Sequence, residues 1–532
     1  MTEAIKSRRP RSLDRGLGAL ALAGALGVAG TAAAQAPSWV PPSWDQALLA
    51  PLPGSVIPGE TPASIPQYQE LSDPTGLVAS YQPGGATTTA DNAFFAALGT
   101  NGRTCFSCHQ PQDDWTVTPA SVSAIFNASQ GTDPMFAPVD GADCPDLVDE
   151  STDGSTCPED QDDARQRFVA VRQQLFNRGN FRIFLPIPPG AEWKVHVVHD
   201  PYGCEGSATY GIPAGFLSVY RRVIPSANTF DLDPGGRLDA NGNPAFNIMW
   251  DAREPDLATQ FLDATKIHAQ ATTAQAAVAQ ARSGEGVSFQ DGLFTAQTYD
   301  DLAGSLTGAG ALGGPRYIST LPPGLNTVAP APPPLRNGPT FILYDTWAAA
   351  QTMAARRSIK RGEDIFNGVT KTFTISNVTG LNDLGLGNAI QGSCSFCHNS
   401  GDRGNDFFLD PKHLGIMDNS SAALPPTRDM PLFAFLCPPG SITFFSNPVT
   451  RGGVKYDEFL TTDPGVGLIT GQCADLGKMK VPILRGAGAR APYFHGGNVA
   501  SLFGLIDFYD RRFSIGFTAE ERSDLEHFLR SL

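Results

Sequence analysis

Two copies of one short pattern, Cys-x-x-Cys-His, carry the most chemistry in this sequence. They are Cys105, Cys108 and His109 in TCFSCHQPQDDW, and Cys394, Cys397 and His398 in SCSFCHNS. A disulfide loop has no use for the adjacent histidine, and a zinc site needs four ligands from paired motifs. Two thiols one helical turn apart can each add to a vinyl group of haem, and the histidine then coordinates the iron from one side. The spacing therefore predicts two covalently bound c-type haems, with His109 and His398 as proximal ligands.

The beginning of the chain has the three parts of a secretory signal peptide. A basic stretch from Lys6 to Arg15 precedes the apolar run LGALALAGALGVAG, and Ala34-Gln35-Ala36 is a small-residue cleavage signal. The pair Arg8-Arg9 leaves a twin-arginine signal open. We expect cleavage near Ala36 and a periplasmic or otherwise exported protein. No later apolar run reaches about 18 residues, so no membrane span is expected in the mature protein.

The charge balance of the chain narrows the class of partner. The formal net charge is −15, and the predicted signal peptide carries more basic than acidic residues, so the mature protein is still more acidic. An acidic surface disfavours binding to nucleic acid and permits a basic protein partner, although solubility alone explains it equally well.

Composition divides the chain into five segments. They are a signal peptide (1–36), an extended N-terminal arm (37–85), a first cytochrome c-type haem domain (86–320), a proline-rich linker (321–339) and a second cytochrome c-type haem domain (340–532). Each domain contains one of the two cysteine motifs. The long stretch between the motifs indicates a large insertion in the first domain.

Helical signals dominate, so the predicted fold is mainly α with long irregular loops. Residues 255–282 and 344–366 read as helices, and Thr518 with Glu521 forms a capping box before a periodic C-terminal segment. Strand signals are confined to short runs such as 193–198.

The cysteines outside the motifs leave the disulfide connectivity open. Cys144 and Cys157 lie in an acidic loop (140–163) that one disulfide could pin, and Cys437 could pair with Cys473. This arrangement would leave Cys204 without a partner.

Two further strings resemble a known family. MWDAREPDLATQF (249–261) and KVPILRGAGARAPYFHGGNVASL (480–502), in this order with the two haem motifs, resemble the bacterial diheme cytochrome c peroxidases and the related methylamine dehydrogenase maturation enzyme, MauG. The matching segments cover about a third of the chain. The resemblance implies that the first haem has an open face for hydrogen peroxide or dioxygen, and that the second haem exchanges electrons.

The resemblance assigns roles around the first haem. Trp250 becomes the aromatic relay between the haems, and Gln260 a residue of the distal pocket. The peroxidases have an acid/base glutamate where this sequence has Gln270, and an amide can hydrogen-bond to peroxide but cannot carry a proton. His268 is the candidate substitute, although a histidine on an Ala-rich helix is more often merely exposed.

The resemblance also assigns the second haem and a calcium ion. Tyr509 stands where the peroxidases have a methionine ligand and MauG a tyrosine ligand, and His495 is a second candidate. A phenolate ligand stabilises ferric iron and lowers the reduction potential. The calcium ligands of the family correspond to Asn228, Arg490 and Pro492, although a basic residue at position 490 is unfavourable beside a dication.

The sequence thus predicts an exported diheme c-type oxidoreductase of the cytochrome c peroxidase/MauG type. Its partner would be a small redox protein or an organic or protein substrate. The alternative is a non-catalytic diheme electron-transfer cytochrome, in which a residue such as His196 or His199 closes the first haem.

Overall fold

The computed structural model describes residues 59–148, 161–229, 248–321, 339–349, 351–379, 381, 386–405, 414, 428–442 and 445–532. All of these residues belong to one compact unit. The predicted signal peptide, the first part of the predicted arm, Cys157 and nearly all of the predicted linker lie outside the described residues.

The described residues contain eleven α-helices, in addition to short 3-10 turns. They are α1 (Pro119–Ser129), α2 (Pro138–Gly141), α3 (Gln161–Ala170), α4 (Gln173–Arg178), α5 (Leu257–Ile267), α6 (Thr273–Asp291), α7 (Pro315–Ile318), α8 (Ala354–Asn367), α9 (Gly467–Thr470), α10 (Leu502–Phe513) and α11 (Ala519–Arg530). None of the helices in the described part of the chain is both long enough and apolar enough to cross a bilayer.

Fourteen strands in the described ranges form five antiparallel sheets. The strands are β1 (Ser64–Ile65), β2 (Tyr68–Asp73), β3 (Gly76–Tyr81), β4 (Thr87–Thr88), β5 (Asn180–Pro186), β6 (Lys194–His199), β7 (Phe216–Arg222), β8 (Phe294–Asp300), β9 (Gly304–Ser305), β10 (Phe373–Ser376), β11 (Ala389–Gly392), β12 (Leu432–Cys437), β13 (Ser446–Arg451) and β14 (Val454–Thr461). The sheet orders are β1-β4, β2-β3-β8-β9, β5-β7, β13-β14-β12-β6 and β10-β11.

The prediction of a mainly α fold is wrong. Helices account for 36% and strands for 20% of the structure, and the strands form the five antiparallel sheets. Some strands, such as β1, β4 and β9, have only two residues, and others pair with partners distant in sequence, as β3 does with β8 and β6 with β12. Such pairing leaves little periodic signal in the chain. The described part of the predicted arm, for example, contributes β3, which pairs with β8.

Local sequence signals do locate the main helices. The C-terminal helix α11 begins at the predicted capping box, where the Thr518 Oγ1 accepts from the Glu521 amide at 3.1 Å and the Glu521 Oε2 accepts from the Thr518 amide at 2.7 Å. The predicted helix over 255–282 is observed as α5 and α6, with a break at 268–272. This break turns the chain at the end of α5 and shapes the candidate site described below.

The sheet β13-β14-β12-β6 joins the two halves of the sequence. Strand β6 lies in the long stretch between the motifs, and it pairs with β12 from the second half so that Phe435 lies opposite Val195. One face of this sheet is buried, and the Trp193 ring packs edge-on against Phe435 with centroids 4.9 Å apart. The stretch between the motifs is therefore an integral part of the fold.

The apolar core falls into separate clusters around the two motifs. One cluster of aromatic residues lies beneath the first motif and contains Phe94, Phe95, Phe106, Trp115 and Phe289. A larger cluster packs α8 against α10 and α11 in the second half. Each Cys-x-x-Cys-His segment is thereby held on a rigid apolar base.

Candidate functional site

The first motif is a tight turn on the wall of an open cleft. Thr104 caps the turn, because its Oγ1 accepts from the Ser107 amide at 3.2 Å while the Ser107 Oγ accepts from the Thr104 amide at 3.1 Å. The turn brings the side chains of Cys105, Cys108 and His109 to the same cleft. Both thiols and the imidazole therefore face one cavity.

The His109 ring is oriented by two hydrogen-bond partners of its Nδ1 atom. The Trp115 carbonyl oxygen and the Ser226 Oγ each lie 2.8 Å from this atom. A carbonyl only accepts, so Nδ1 carries the proton and the Nε2 lone pair is available to a metal. Burial lowers the pKa of His109 to about 4, which keeps the ring neutral.

The second motif repeats this arrangement. The His398 Nδ1 lies 2.6 Å from the Gly404 carbonyl oxygen, which again leaves Nε2 available as a ligand atom. Burial lowers the pKa of His398 to about 4. The cysteines of this motif pack against an apolar cluster formed by Phe373, Ile375, Val378, Leu381 and Phe396.

The four motif cysteines remain thiols, whereas the other described cysteines form disulfides. The bonds are Cys144–Cys204 and Cys437–Cys473, so the expected pairing of Cys144 with Cys157 is wrong and Cys204 is bonded. Within the described ranges, no three His, Cys, Asp or Glu side chains form a metal-binding group. Thiol pairs beside a neutral histidine therefore fit covalent haem better than a disulfide loop or zinc.

The first cleft is an open hollow beside the first motif. Its volume is about 190 Å³. Its walls include the motif turn, the β5-β7 sheet and helix α5. The residues present thus fit a covalently attached haem.

Trp250 lies where this cleft meets segments from the second half. Its indole Nε1 donates to the Arg222 carbonyl at 2.7 Å, and its own carbonyl accepts from the Lys480 amide at 2.9 Å. The indole and His495 ring centroids are 5.9 Å apart. This position suits an aromatic relay, which stays a prediction.

The structure brings Gln260 to the cleft but not Gln270. Gln260 lies on α5 and lines the cavity. Gln270 follows the end of α5 with a φ of 56°, its side chain is exposed, and its carbonyl accepts from the Thr100 Oγ1 at 2.9 Å. The prediction that Gln270 lines the cleft assumed that α5 continues to residue 270. The helix ends at Ile267, and the chain then turns outward.

His268 lines the cleft and is held by two residues that sequence reasoning missed. Its Nδ1 lies 2.9 Å from the Asp140 Oδ2, and the Arg103 Nη1 donates to the same oxygen at 2.8 Å. Asp140 is only 2% exposed. The hydrogen bond from Nδ1 fixes the tautomer in which the His268 Nε2 has a lone pair.

The two residues predicted as ligands of a second haem lie in different surroundings. Tyr509, on α10, packs against aromatic rings, and burial raises the pKa of its phenol, with a further contribution from the thiols of Cys397 and Cys394. His495 is buried beside Trp250, with its Nε2 3.7 Å from the Asp463 Oδ2. Of these two residues, Tyr509 is the one affected by the thiols of the second motif, whereas His495 lies beside Trp250.

Two of the three residues expected to bind calcium, Asn228 and Arg490, have oxygens that already accept hydrogen bonds from the protein. The Asn228 Oδ1 accepts from the Thr295 amide at 3.0 Å, and the Arg490 carbonyl accepts from the Arg222 guanidinium at 3.1 Å. The Arg490 side chain adds a second positive charge, with its Nε 3.4 Å from the Asp114 Oδ2. Calcium prefers several free oxygen ligands and no neighbouring cation.

Lys480 is a further residue of the cleft, and its only signal in the sequence is its place in the string 480–502. It is 4% exposed and lines the cavity, and burial lowers the pKa of its amine to about 7. An amine in this position can pair with an anionic group entering the cleft.

Comparisons with known proteins add little to this geometry. No family model and no curated protein matches the chain. One solved structure that does match is the crystal structure of a MauG-like protein associated with microbial copper homeostasis. The match has 17% identity and a TM-score of 0.31, and it covers 59% of this chain and 76% of the other. So low a TM-score carries no argument, and the assignment rests on the residues themselves.

Proposed function

We propose that this protein is an exported diheme c-type oxidoreductase of the cytochrome c peroxidase/MauG type, which reduces hydrogen peroxide or dioxygen at the first motif and exchanges electrons through the second. One observation carries the proposal: the first motif faces an open cleft that is also lined by Trp250, Gln260 and His268. Bound haem supplies the redox-active iron for this chemistry.

The side chains of the first cleft support proton handling beside a bound peroxide. Reduction of hydrogen peroxide to two water molecules consumes two protons as well as two electrons. The His268 Nε2 can accept a proton from the bound oxidant and return it to the departing oxygen, while Asp140 holds the ring through Nδ1. Gln260 can contribute a hydrogen bond, because its amide both donates and accepts.

The electrons come from a small redox protein or from an organic or protein substrate. Trp250 borders the cleft and contacts segments of the second half through Lys480 and His495, so it suits transfer between the two haems. Tyr509 as the ligand of the second haem would favour its oxidised state, which suits oxidation of a substrate.

The test is to express the full chain with export and haem attachment and then to measure covalent haem and peroxide consumption. We expect two haems per chain, one haem in a variant with Cys394→Ser and Cys397→Ser, and peroxide consumption coupled to oxidation of a reduced cytochrome or dye. Fewer than two covalent haems in the wild type would refute the proposal.

The alternative of a pure electron carrier needs a residue that closes the first haem. His196 and His199 are exposed on β6 and do not line the cleft, so they do not support it. His268 is the remaining candidate, because its Nε2 is available. If His268→Ala converts a low-spin first haem to a high-spin one and the wild type ignores peroxide, the protein is a carrier.

A further inference from the structure

Arg222 at the end of β7 is a buried cation surrounded by backbone carbonyls. Its Nη1 donates to the Arg178 carbonyl at 2.5 Å, and its Nη2 donates to the carbonyls of Val117 and Arg490 at 3.0 Å and 3.1 Å. The residue is 5% exposed. Val117 and Arg178 come from the first half of the chain and Arg490 from the second, so one guanidinium holds segments from both halves.

The backbone of Arg222 also contacts both halves at this place, which we call the junction; it comprises Arg178, Arg222, Trp250 and residues 490–495. Its amide donates to the His495 carbonyl at 2.6 Å, and its carbonyl accepts from the Trp250 indole at 2.7 Å. The Arg222 amide and Nη2 therefore join the two halves, and the Arg222 carbonyl orients Trp250.

The carbonyl oxygens, rather than a paired carboxylate, stabilise this charge. Burial lowers the pKa of Arg222 to about 10, and the negative charge of Asp113 opposes this shift. The Asp113 carboxylate accepts hydrogen bonds from Thr118. A pKa near 10 still leaves the guanidinium charged at neutral pH. Proteins also bind calcium by surrounding a positive charge with several carbonyl oxygens.

We infer that the Arg222 guanidinium supplies the positive charge at this junction, where the family resemblance implies a calcium ion. The carbonyl of Arg490, an expected calcium ligand, already accepts from Arg222, and the side-chain oxygen of Asn228 is occupied by Thr295. Arg222 is thus a positioning residue for Trp250 and for residues 490–495. The junction assembles without a metal ion, which separates this chain from a calcium-dependent one.

The experiment compares the wild-type holoprotein with Arg222→Gln and with a matched control, Arg182→Gln. Arg182 is also a buried arginine that donates to carbonyls, those of Val139 and Tyr210, but none of its bonds reaches Trp250 or the second half. Each protein is dialysed against EGTA and then returned to calcium chloride. Bound calcium, melting temperature and hydrogen exchange over residues 490–497 are measured at each stage.

We expect no bound calcium in the wild type and the same exchange rates with and without EGTA. Arg222→Gln should speed exchange over 490–497 by about tenfold or more, because buried carbonyls lose their donor. Arg182→Gln should lower the melting temperature without changing exchange in that segment. Stoichiometric calcium whose removal speeds exchange there, or unchanged exchange in Arg222→Gln, would overturn the inference. Neither result depends on peroxidase activity, so the proposed function stands or falls separately.

Discussion

The pair formed by His268 and Asp140 is the residue-scale feature on which catalysis in the first cleft would depend. Replacement of His268 by Gln keeps a hydrogen-bonding side chain but removes the base, so we expect the rate of peroxide reduction to fall by roughly 10²- to 10⁴-fold. Stopped-flow measurement of peroxide consumption at fixed haem content checks this.

The control for that prediction is Gln270→Ala. Its side chain is exposed and lies outside the cleft lining, so its rate should equal that of the wild type. The result that contradicts the assignment is a normal rate for His268→Gln, or a large loss for Gln270→Ala.

At this scale the sequence predicts the residues that share a motif and misses those that meet only in space. The spacing of Cys105, Cys108 and His109 predicts that the three side chains act on one haem, and all three line one cleft. Asp140 is 128 residues from His268 in sequence, and it read as part of an acidic loop. No local pattern relates a buried carboxylate to a partner that distant, so the pair could not be predicted.

The carboxyl group of Glu205 is buried, and we expect its ionisation to make the stability of the protein depend on pH. It is 2% exposed, its Oε1 accepts from the Ser218 amide at 3.1 Å, and burial raises the pKa of its carboxyl from the ordinary 4.5 to about 7. A raised folded-state pKa contributes stability that is complete below pH 4.5 and is lost as the pH rises through about 7.

Glu205→Gln should therefore match the wild type near pH 5 and exceed it in stability near pH 8, by about 1–3 kcal/mol. The amide oxygen keeps the hydrogen bond from Ser218 but never ionises. Thermal unfolding across this pH range measures the difference, and the exposed Glu520→Gln serves as the control. A constant difference between Glu205→Gln and wild type at all pH values would rule out ionisation of Glu205 as the cause.

At the scale of elements, the packing of α8 on α11 depends on Gly362. A Cβ atom at this position would lie 2.0 Å from the Asp524 carbonyl oxygen and 2.7 Å from the Phe528 Cβ. Gly362→Ala must therefore separate the two helices, and we expect a loss of unfolding free energy of about 1–3 kcal/mol or more. Denaturant titration measures this loss.

Gly284 on α6 provides the matched helical control, because a Cβ atom there would meet nothing within 4 Å. Gly284→Ala should raise stability by about 0.5–1 kcal/mol through helix propensity. Equal effects of the two substitutions would show that helix propensity, rather than close packing, governs Gly362.

Elements with local start signals could be predicted, and elements completed by distant partners could not. The Thr518–Glu521 capping box marked the beginning of α11, because both of its hydrogen bonds are made within one turn. Strand β12 depends on β6 and β14 for its hydrogen bonds. Its sequence LFAFLC is a continuous apolar run, which periodicity alone does not distinguish from a buried helical segment.

At the scale of the whole molecule, a buried ion-pair network ties the halves together. The Arg221 Nε and Nη2 donate to the two carboxylate oxygens of Asp463 at 2.6 and 2.8 Å, and the Arg221 Nη1 donates to Asp251 at 2.6 Å. Asp463 and Arg221 are both less than 5% exposed. Removing one partner from such a buried pair costs roughly 3–5 kcal/mol.

This network and the β6-β12 pairing argue that residues 340–532 do not fold alone, although the sequence suggested a separate haem domain. In that fragment β12 loses β6, Phe435 loses the Trp193 ring, and Asp463 loses Arg221. We expect the fragment to unfold without a cooperative transition, whereas residues 54–532 should unfold cooperatively, as circular dichroism during heating would show. Asp463→Asn in the longer chain should be destabilised but still cooperative. A sharp transition in the isolated fragment would instead establish the second half as an independent domain whose folding does not require its contacts with the first half.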